Sequence, residues 1–286
     1  MGFIRANMLP ILKESKRLPF SGHLLLLGQA DIYFDHSHLL RMANISHVTL
    51  DMSVQAVLSP KPEFAAKRYL SGEVVFKMLG FDQISVLDYS DFEGANIIFD
   101  MNSENPPDGC VGQFDVLIDH GTLEHVFHLP NALNNIHRLL KVGGRVITSS
   151  PSTNFFDHGF YMLQPTLFVD FYTANDWKIE SIQVVQFTAN QETDPCFFTD
   201  YEPGLFDSVG YGRMDGKLYA TICVATKTPN SSGAKIPQQG YYRRLENWST
   251  SGGENKTDPT PIAETSAKVV SGFGERMRRF FDPKRK

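Results

Sequence analysis

The chain has 286 residues, 42% of them hydrophobic, which suffices for one large core with extensions. Its three cysteines, Cys110, Cys196 and Cys223, are far apart and form no CxxC pair, which excludes a disulfide framework or zinc ribbon and points to a reducing compartment. The net charge of -5 is uneven: from Pro229 onward 11 Lys and Arg face 6 Asp and Glu, leaving 16 against 26 before it, and an acidic body excludes broad nucleic-acid binding.

The first residues carry no charged region followed by a long apolar run, and no stretch approaches the roughly 18 apolar residues of a membrane span, so a cytoplasmic location is expected. "MGFIRAN" opens with Met-Gly, but Ala6 stands where a myristoylation site wants Ser or Thr. "GHLLLLG" (22–28) is a continuous apolar run closed by glycine, the pattern of a strand buried on both faces. "FDHSHLLRMA" then reads as a helix and "HVTLD" (47–51) as a short strand. Residues 51–72 hold prolines with weak periodicity and read as an insertion or lid. "EVVFKMLG" predicts a helix stopped by Gly80, followed by strands at "ISVLD" and "ANIIFD".

"FDVLID" (114–119) is the next strand. In "LPNALNNIHRLLKVGG", Leu133, Ile136, Leu139 and Leu140 recur at helical spacing, and Gly143 and Gly144 end the helix before the strand "RVITSS". A helix at "PTLFVDFYTAN" and strands at "IESIQVVQF" and "LYATICVATK" follow. Strands alternating with helices predict an α/β fold, doubly wound around a mostly parallel sheet. From Pro229 to about residue 263 the composition is Ser, Gly, Pro, Asn and Gln with few aliphatics, which predicts a disordered linker before a basic tail. Cutting the chain after Asn230 is then expected to leave the thermal midpoint within a few degrees. The expected division is a domain over 1–228 and a linker with tail over 229–286.

Polar groups follow three of the strands: residues 28–31, Asp88, and Asp119 with His120. A nucleoside ligand across such a sheet needs a glycine where backbone approaches it and an acid to accept from the ribose hydroxyls. Both NAD and S-adenosylmethionine sites follow this logic. A GxGxxG loop would favour the dinucleotide, but the first loop, "GQAD", has one glycine. Two acids compete for the ribose: Asp51 lies 23 residues after Gly28, whereas Asp88 ends "VLD" directly before "SDFEGANIIFD".

Four stretches, "LLLLGQAD", "VLDYSDFEGANIIFDMN", "FDVLIDHGTLEHVFHLPNALNNIHRLLKVGGRVITSSPS" and "DHGFYMLQPTLFVDFY", together resemble a class I S-adenosylmethionine-dependent methyltransferase. The likeness extends over about residues 22–227 and is nearest to bacterial methyltransferase-domain proteins of the surface-polysaccharide-associated type. It implies a Rossmann-like seven-stranded sheet with the last strand antiparallel, and S-adenosylmethionine above the ends of the first four strands. Position by position, Gly28 would pass under the methionine part with Gln29 and Asp31 in the same loop. Asp88 would hold the ribose, Asp100 and Met101 would flank the adenine, and Asp119 and His120 would sit beside the sulfonium. Gln29 and Asp31 replace further glycines of the family loop.

His120, Glu124, His125 and His128 include metal-ligand types. No metal is expected, because "LEHV" recurs in methyltransferases that need none; Glu124 and His125 are instead expected to cap and orient the loop. "FFDHGFYMLQP" places Asp157, His158, Tyr161 and Gln164 together, either as an aromatic packing loop or as an acceptor site. In the second case His158, paired with the neighbouring Asp157 carboxylate, is the expected base, with His120 lining the pocket. The tail "VVSGFGERMRRFFDPKRK" mixes Phe273, Phe280 and Phe281 with arginines, a pattern for weak contact with a membrane surface or a protein. The expected function is methyl transfer to a small acceptor such as a sugar or glycan hydroxyl. The alternatives are a methyltransferase-like binding protein without catalysis and an NAD-dependent enzyme.

Overall fold

The computed structural model describes residues 2–190 and 193–240. The elements run α1 (Arg5–Arg17), β1 (His23–Leu27), β2 (Asp31–Asp35), α2 (His36–Ile45), α3 (Pro62–Ala66), β3 (Tyr69–Ser71) and α4 (Gly72–Met78). Then come β4 (Gln83–Asp88), β5 (Ile97–Ile98), β6 (Phe114–Asp119), α5 (Leu129–Leu139), β7 (Leu140–Thr153), α6 (Pro165–Ala174), β8 (Lys178–Phe187), β9 (Phe197–Asp200) and β10 (Leu218–Thr226).

The main sheet has eight strands in the order β5-β4-β1-β6-β7-β10-β8-β9. β1 pairs in parallel with β4 and β6, and β6 pairs in parallel with β7, while β10 runs antiparallel between β7 and β8. The antiparallel last strand is as expected. The strand count is corrected from seven to eight, because β9 folds back antiparallel onto β8 and extends the edge. β2 and β3 form a separate two-stranded ribbon.

The apolar run of β1 is buried on both faces, as its sequence requires. Leu24 and Leu26 join one core with Ile11, Leu12, Leu39, Met42, Val75 and Phe76 from α1, α2 and α4. Leu25 and Leu27 join the other with Leu133, Ile136, Leu139, Phe168 and Tyr172 from α5 and α6. At about 25 cal/mol per Å2 of buried apolar surface, this two-sided burial is the main force fixing strand order.

Three expectations are corrected and one helix is new. Residues 47–51 form no strand, because both hydrogen-bonding edges of β1 are taken by β4 and β6; the turn leaves α2 through His47 at φ 55° instead. Helix α1 went unread because Pro10 lies inside it and breaks the pattern. The strand at "ANIIFD" shrinks to two residues. Finally, the stretch from Pro229 is not all linker: residues 231–240 lie on the body, where the Trp177 indole N–H donates to the Ser232 carbonyl (2.8 Å) and Gly240 N–H donates to Asp170 (2.9 Å). The basic tail falls outside the described residues. Among those described, no helix is long and apolar enough to cross a membrane.

Candidate cofactor and acceptor site

The register puts the carboxyl ends of the central strands level, since Leu27 of β1 lies opposite Leu87 of β4 and Asp119 of β6, and Asp119 lies opposite Thr148 of β7. Gly28 leaves β1 at φ +80°, a conformation that favours glycine. Its N–H donates to the Leu87 carbonyl at 2.9 Å. A Cβ there would lie 3.3 Å from Thr122 Oγ1 and 3.9 Å from Asp88 Oδ2, so Gly28, Thr122 and Asp88 share one corner of the edge. The Thr122 hydroxyl donates to the Leu27 carbonyl (2.8 Å), which ties the loop after β6 to the end of β1. Asp51 lies elsewhere: it is exposed, its N–H donates to Met78 at the end of α4, and α4 leads into the opposite, amino end of β4. Its carboxylate accepts from Ser53 N–H and hydroxyl.

Asp100 closes a tight turn, accepting from the backbone and side-chain amides of Asn102 at 2.9 and 2.8 Å. α5 holds this turn through polar side chains: Asn131 donates to the Asn102 carbonyl and Asn135 to the Ser103 carbonyl. Met101 is buried in the second core, beneath this corner of the edge.

The first loop is already engaged. The Gln29 carbonyl is in hydrogen-bonding contact with His120 Nε2 at 3.2 Å, and Lys61 from the 51–72 segment bridges Asp31 (2.7 Å) and Glu93 (2.9 Å). His120 does not line an open pocket. It is 3% exposed, its ring stacks on Phe3 at 4.2 Å, and burial lowers its pKa to about 3. An imidazole so sealed cannot reach an acceptor, which corrects the expectation that it lines the pocket as a candidate catalytic residue.

Asp119 is fully buried and does the capping that was expected of Glu124. One of its oxygens accepts from Thr122 N–H (2.9 Å) and Leu123 N–H (3.3 Å), the other from Ser150 Oγ (3.4 Å). Burial raises its pKa despite these donors. Glu124 is also fully buried, yet neither carboxylate oxygen has a hydrogen-bond partner among the described residues. Burial, then the nearby charge of Asp119, raises its pKa as well.

Two imidazoles face Glu124. Its Oε1 lies 3.6 Å from His158 Nε2 and 3.9 Å from His125 Nε2, and burial lowers the pKa of both histidines. His158 was expected to pair with Asp157, but Asp157 is exposed, at φ +60°. The acid behind His158 is Glu124, 34 residues earlier. The loops are stitched together: Tyr161 N–H donates to the Glu124 carbonyl (3.2 Å) and Tyr161 OH to the Phe127 carbonyl (2.8 Å). Gln164, grouped with them in sequence, instead donates its amide to the Ser152 carbonyl (2.6 Å).

The carboxyl edge therefore has a corner at β1 and β4 shared by Gly28, Thr122 and Asp88, and a polar cluster beyond β6 and β7. Residues 28–186 match the family described as a methyltransferase domain. The chain belongs to this family. The methyltransferase domain match takes in every candidate site residue above but stops short of β10, which completes the sheet between β7 and β8. No curated protein matches the chain. Similar solved structures include an S-adenosylmethionine-dependent methyltransferase, possible histamine N-methyltransferase, from Thermotoga maritima. It is 17% identical, with 79% of this chain and 90% of that one covered and a TM-score of 0.36. An O-methyltransferase from the trans-AT PKS multienzyme of Brevibacillus brevis, in complex with S-adenosylhomocysteine, is 11% identical, with 90% and 87% covered and a TM-score of 0.40.

Proposed function

We propose that this methyltransferase domain moves a methyl group from S-adenosylmethionine to a hydroxyl of a small acceptor, of the sugar or glycan-intermediate class that the polysaccharide-associated resemblance implies. The observation carrying the cofactor half is the corner where Gly28, at φ +80°, faces Asp88 across the ends of β1 and β4. In this reading backbone at Gly28 passes beneath the methionine part, Asp88 accepts from the ribose hydroxyls, and the Asp100–Met101 turn borders the adenine. The sulfonium is already activated, so the remaining tasks are aligning the acceptor and removing its proton. These tasks belong to the cluster around His158, on the neighbouring loops; His120 supports the first loop.

Calorimetric titration tests the proposal. The chain binds S-adenosylhomocysteine and not NAD, Asp88→Ala weakens binding by about 1–3 kcal/mol, and Asp51→Ala leaves it unchanged. Affinity lost in Asp51→Ala alone reverses the ribose assignment, and binding of NAD alone overturns the function. The Lys61 bridge to Asp31 favours a second reading, a methyltransferase-like binding protein without catalysis, because it occupies the loop where the family has further glycines. Binding of S-adenosylhomocysteine without methyl transfer to sugar or glycan acceptors would mark that case.

A further inference from the structure

We infer that Glu124, His125 and His158 form a binding site for a divalent transition-metal ion of the zinc class. This departs from the sequence expectation of no metal, and its members differ from the run His120, Glu124, His125 and His128. His120 is buried against Phe3, and among the described residues the grouped ligand atoms come from Glu124, His125 and His158, within 4.8 Å of one another.

Three observations converge. The first is the donor set: two imidazoles and one carboxylate form a zinc set that leaves a fourth position open, whereas magnesium and calcium prefer oxygen alone. The second is spacing. Ligand atoms about 2.0–2.1 Å from a tetrahedral ion lie about 3.4 Å apart. The separations of 3.6 and 3.9 Å from Glu124 close to that with small rotations of two partly exposed imidazoles. The third is that Glu124 is 0% exposed and both its oxygens, like His158 Nε2, lack a hydrogen-bond partner among the described residues. A buried carboxylate aimed at a gap between two imidazoles costs stability unless the gap is filled by a cation or by water.

The backbone holds the three ligands without help from an ion. Glu124 and His125 sit on a single 3-10 turn, Leu123–His125, after β6. His158 comes from the loop after β7, and that loop is drawn in by Tyr161 and by Gly159, where a Cβ would fall 2.9 Å from the Glu124 carbonyl oxygen. An ion here would stand on the acceptor side of the proposed methyl transfer, where it would lower the pKa of a hydroxyl bound as fourth ligand. The binding claim itself does not depend on that reaction.

The test uses the full chain, stripped with chelator and titrated with Zn2+ by calorimetry, and with Co2+ by visible absorption. The expected result is one ion per chain, cobalt bands of a four-coordinate nitrogen and oxygen site, and affinity at least about tenfold lower in Glu124→Gln, His125→Ala and His158→Ala. His128→Ala, three residues from His125 and outside the cluster, should bind like the parent. His125 is exposed, so its variant tests binding without disturbing the core. No binding, or equal binding in all four variants, overturns the site. Cofactor binding is read separately with S-adenosylhomocysteine, so a failed metal site leaves the function proposal standing, and the reverse also holds.

Discussion

Shortening the chain after Gly240 and after Asn230 isolates the segment 231–240, which the structure lays against α5, α6 and the turn that follows α6. Four of the bonds that the shorter form loses converge on two well-buried residues, Asn175 and Trp177. Ser232 N–H donates to the Asn175 carbonyl (2.9 Å), Lys235 N–H donates to Asn175 Oδ1 (2.9 Å), Asn175 Nδ2 donates to the Lys235 carbonyl (2.9 Å), and the Trp177 indole donates to the Ser232 carbonyl (2.8 Å). Each bond is worth about 0.5–1.5 kcal/mol net of water, and releasing the segment returns part of its chain entropy. The expected difference is about 2 kcal/mol, which for a domain of this size lowers the thermal midpoint by about 4–8 °C. Both forms lack Trp248, so Trp177 is their only tryptophan. Its emission, recorded during differential scanning of both proteins, should shift red in the shorter form before any unfolding. Midpoints within about 2 °C and identical emission would refute the docking and restore the linker boundary at Pro229.

Glu14→Ala should destabilise by about 3–5 kcal/mol in urea titration, because it removes the carboxylate facing the buried Arg145, whose guanidinium donates to Glu14 at 2.6 Å and would keep only the Leu18 and Pro19 carbonyls as acceptors among the described residues. The Asp35 carboxylate caps α2; burial opposes its ionisation, but the His38 N–H, the Ser37 hydroxyl and the His38 ring together lower its pKa to about 2. A depressed carboxylate contributes stability above its unfolded pKa of about 4 and loses it as pH falls toward 2. Asp35→Ala should therefore cost about 1 kcal/mol at pH 7 and clearly less near pH 2, where the folded carboxylate is half protonated, read from paired denaturant curves. His158→Ala should lower turnover on the true acceptor by about a hundredfold or more with S-adenosylhomocysteine affinity unchanged, and full turnover would remove His158 from the mechanism.

The framework was legible because burial writes itself into period and punctuation. The doubly buried "LLLL" of β1, the helical spacing in α5 and the glycines at 28 and 80 each follow from one local constraint. What escaped depends on partners distant in sequence. Residues 47–51 have strand composition, but β1 is already paired on both sides by β4 and β6, and α1 hides behind Pro10. His158 was legible as a candidate, yet its acid was sought next door at Asp157. The loop geometry instead brings in Glu124, whose capping role belongs to Asp119. His120 looked like a site residue because it follows a strand end, and nothing local in the sequence tells that Phe3 covers it.

That cover has a consequence for how the edge is divided. Phe3 N–H donates to the Asp31 carbonyl and Tyr33 N–H to the Phe3 carbonyl, so the first residues pair with β2 and lay the phenyl ring over His120. The loops after β1 and the start of β6's loop are thereby fixed by backbone on one side and by Thr122 on the other, a rigid setting suited to a cofactor of constant shape. The side proposed for the acceptor is held differently. There the loop after β7 meets the turn after β6 through Tyr161 and the close approach of Gly159, while Phe127, Phe156 and Phe160 remain exposed around it. A few contacts on loops, rather than the sheet, set the space beside His158. Changes in residues 154–164 should therefore alter which acceptor fits without disturbing the corner formed by Gly28 and Asp88.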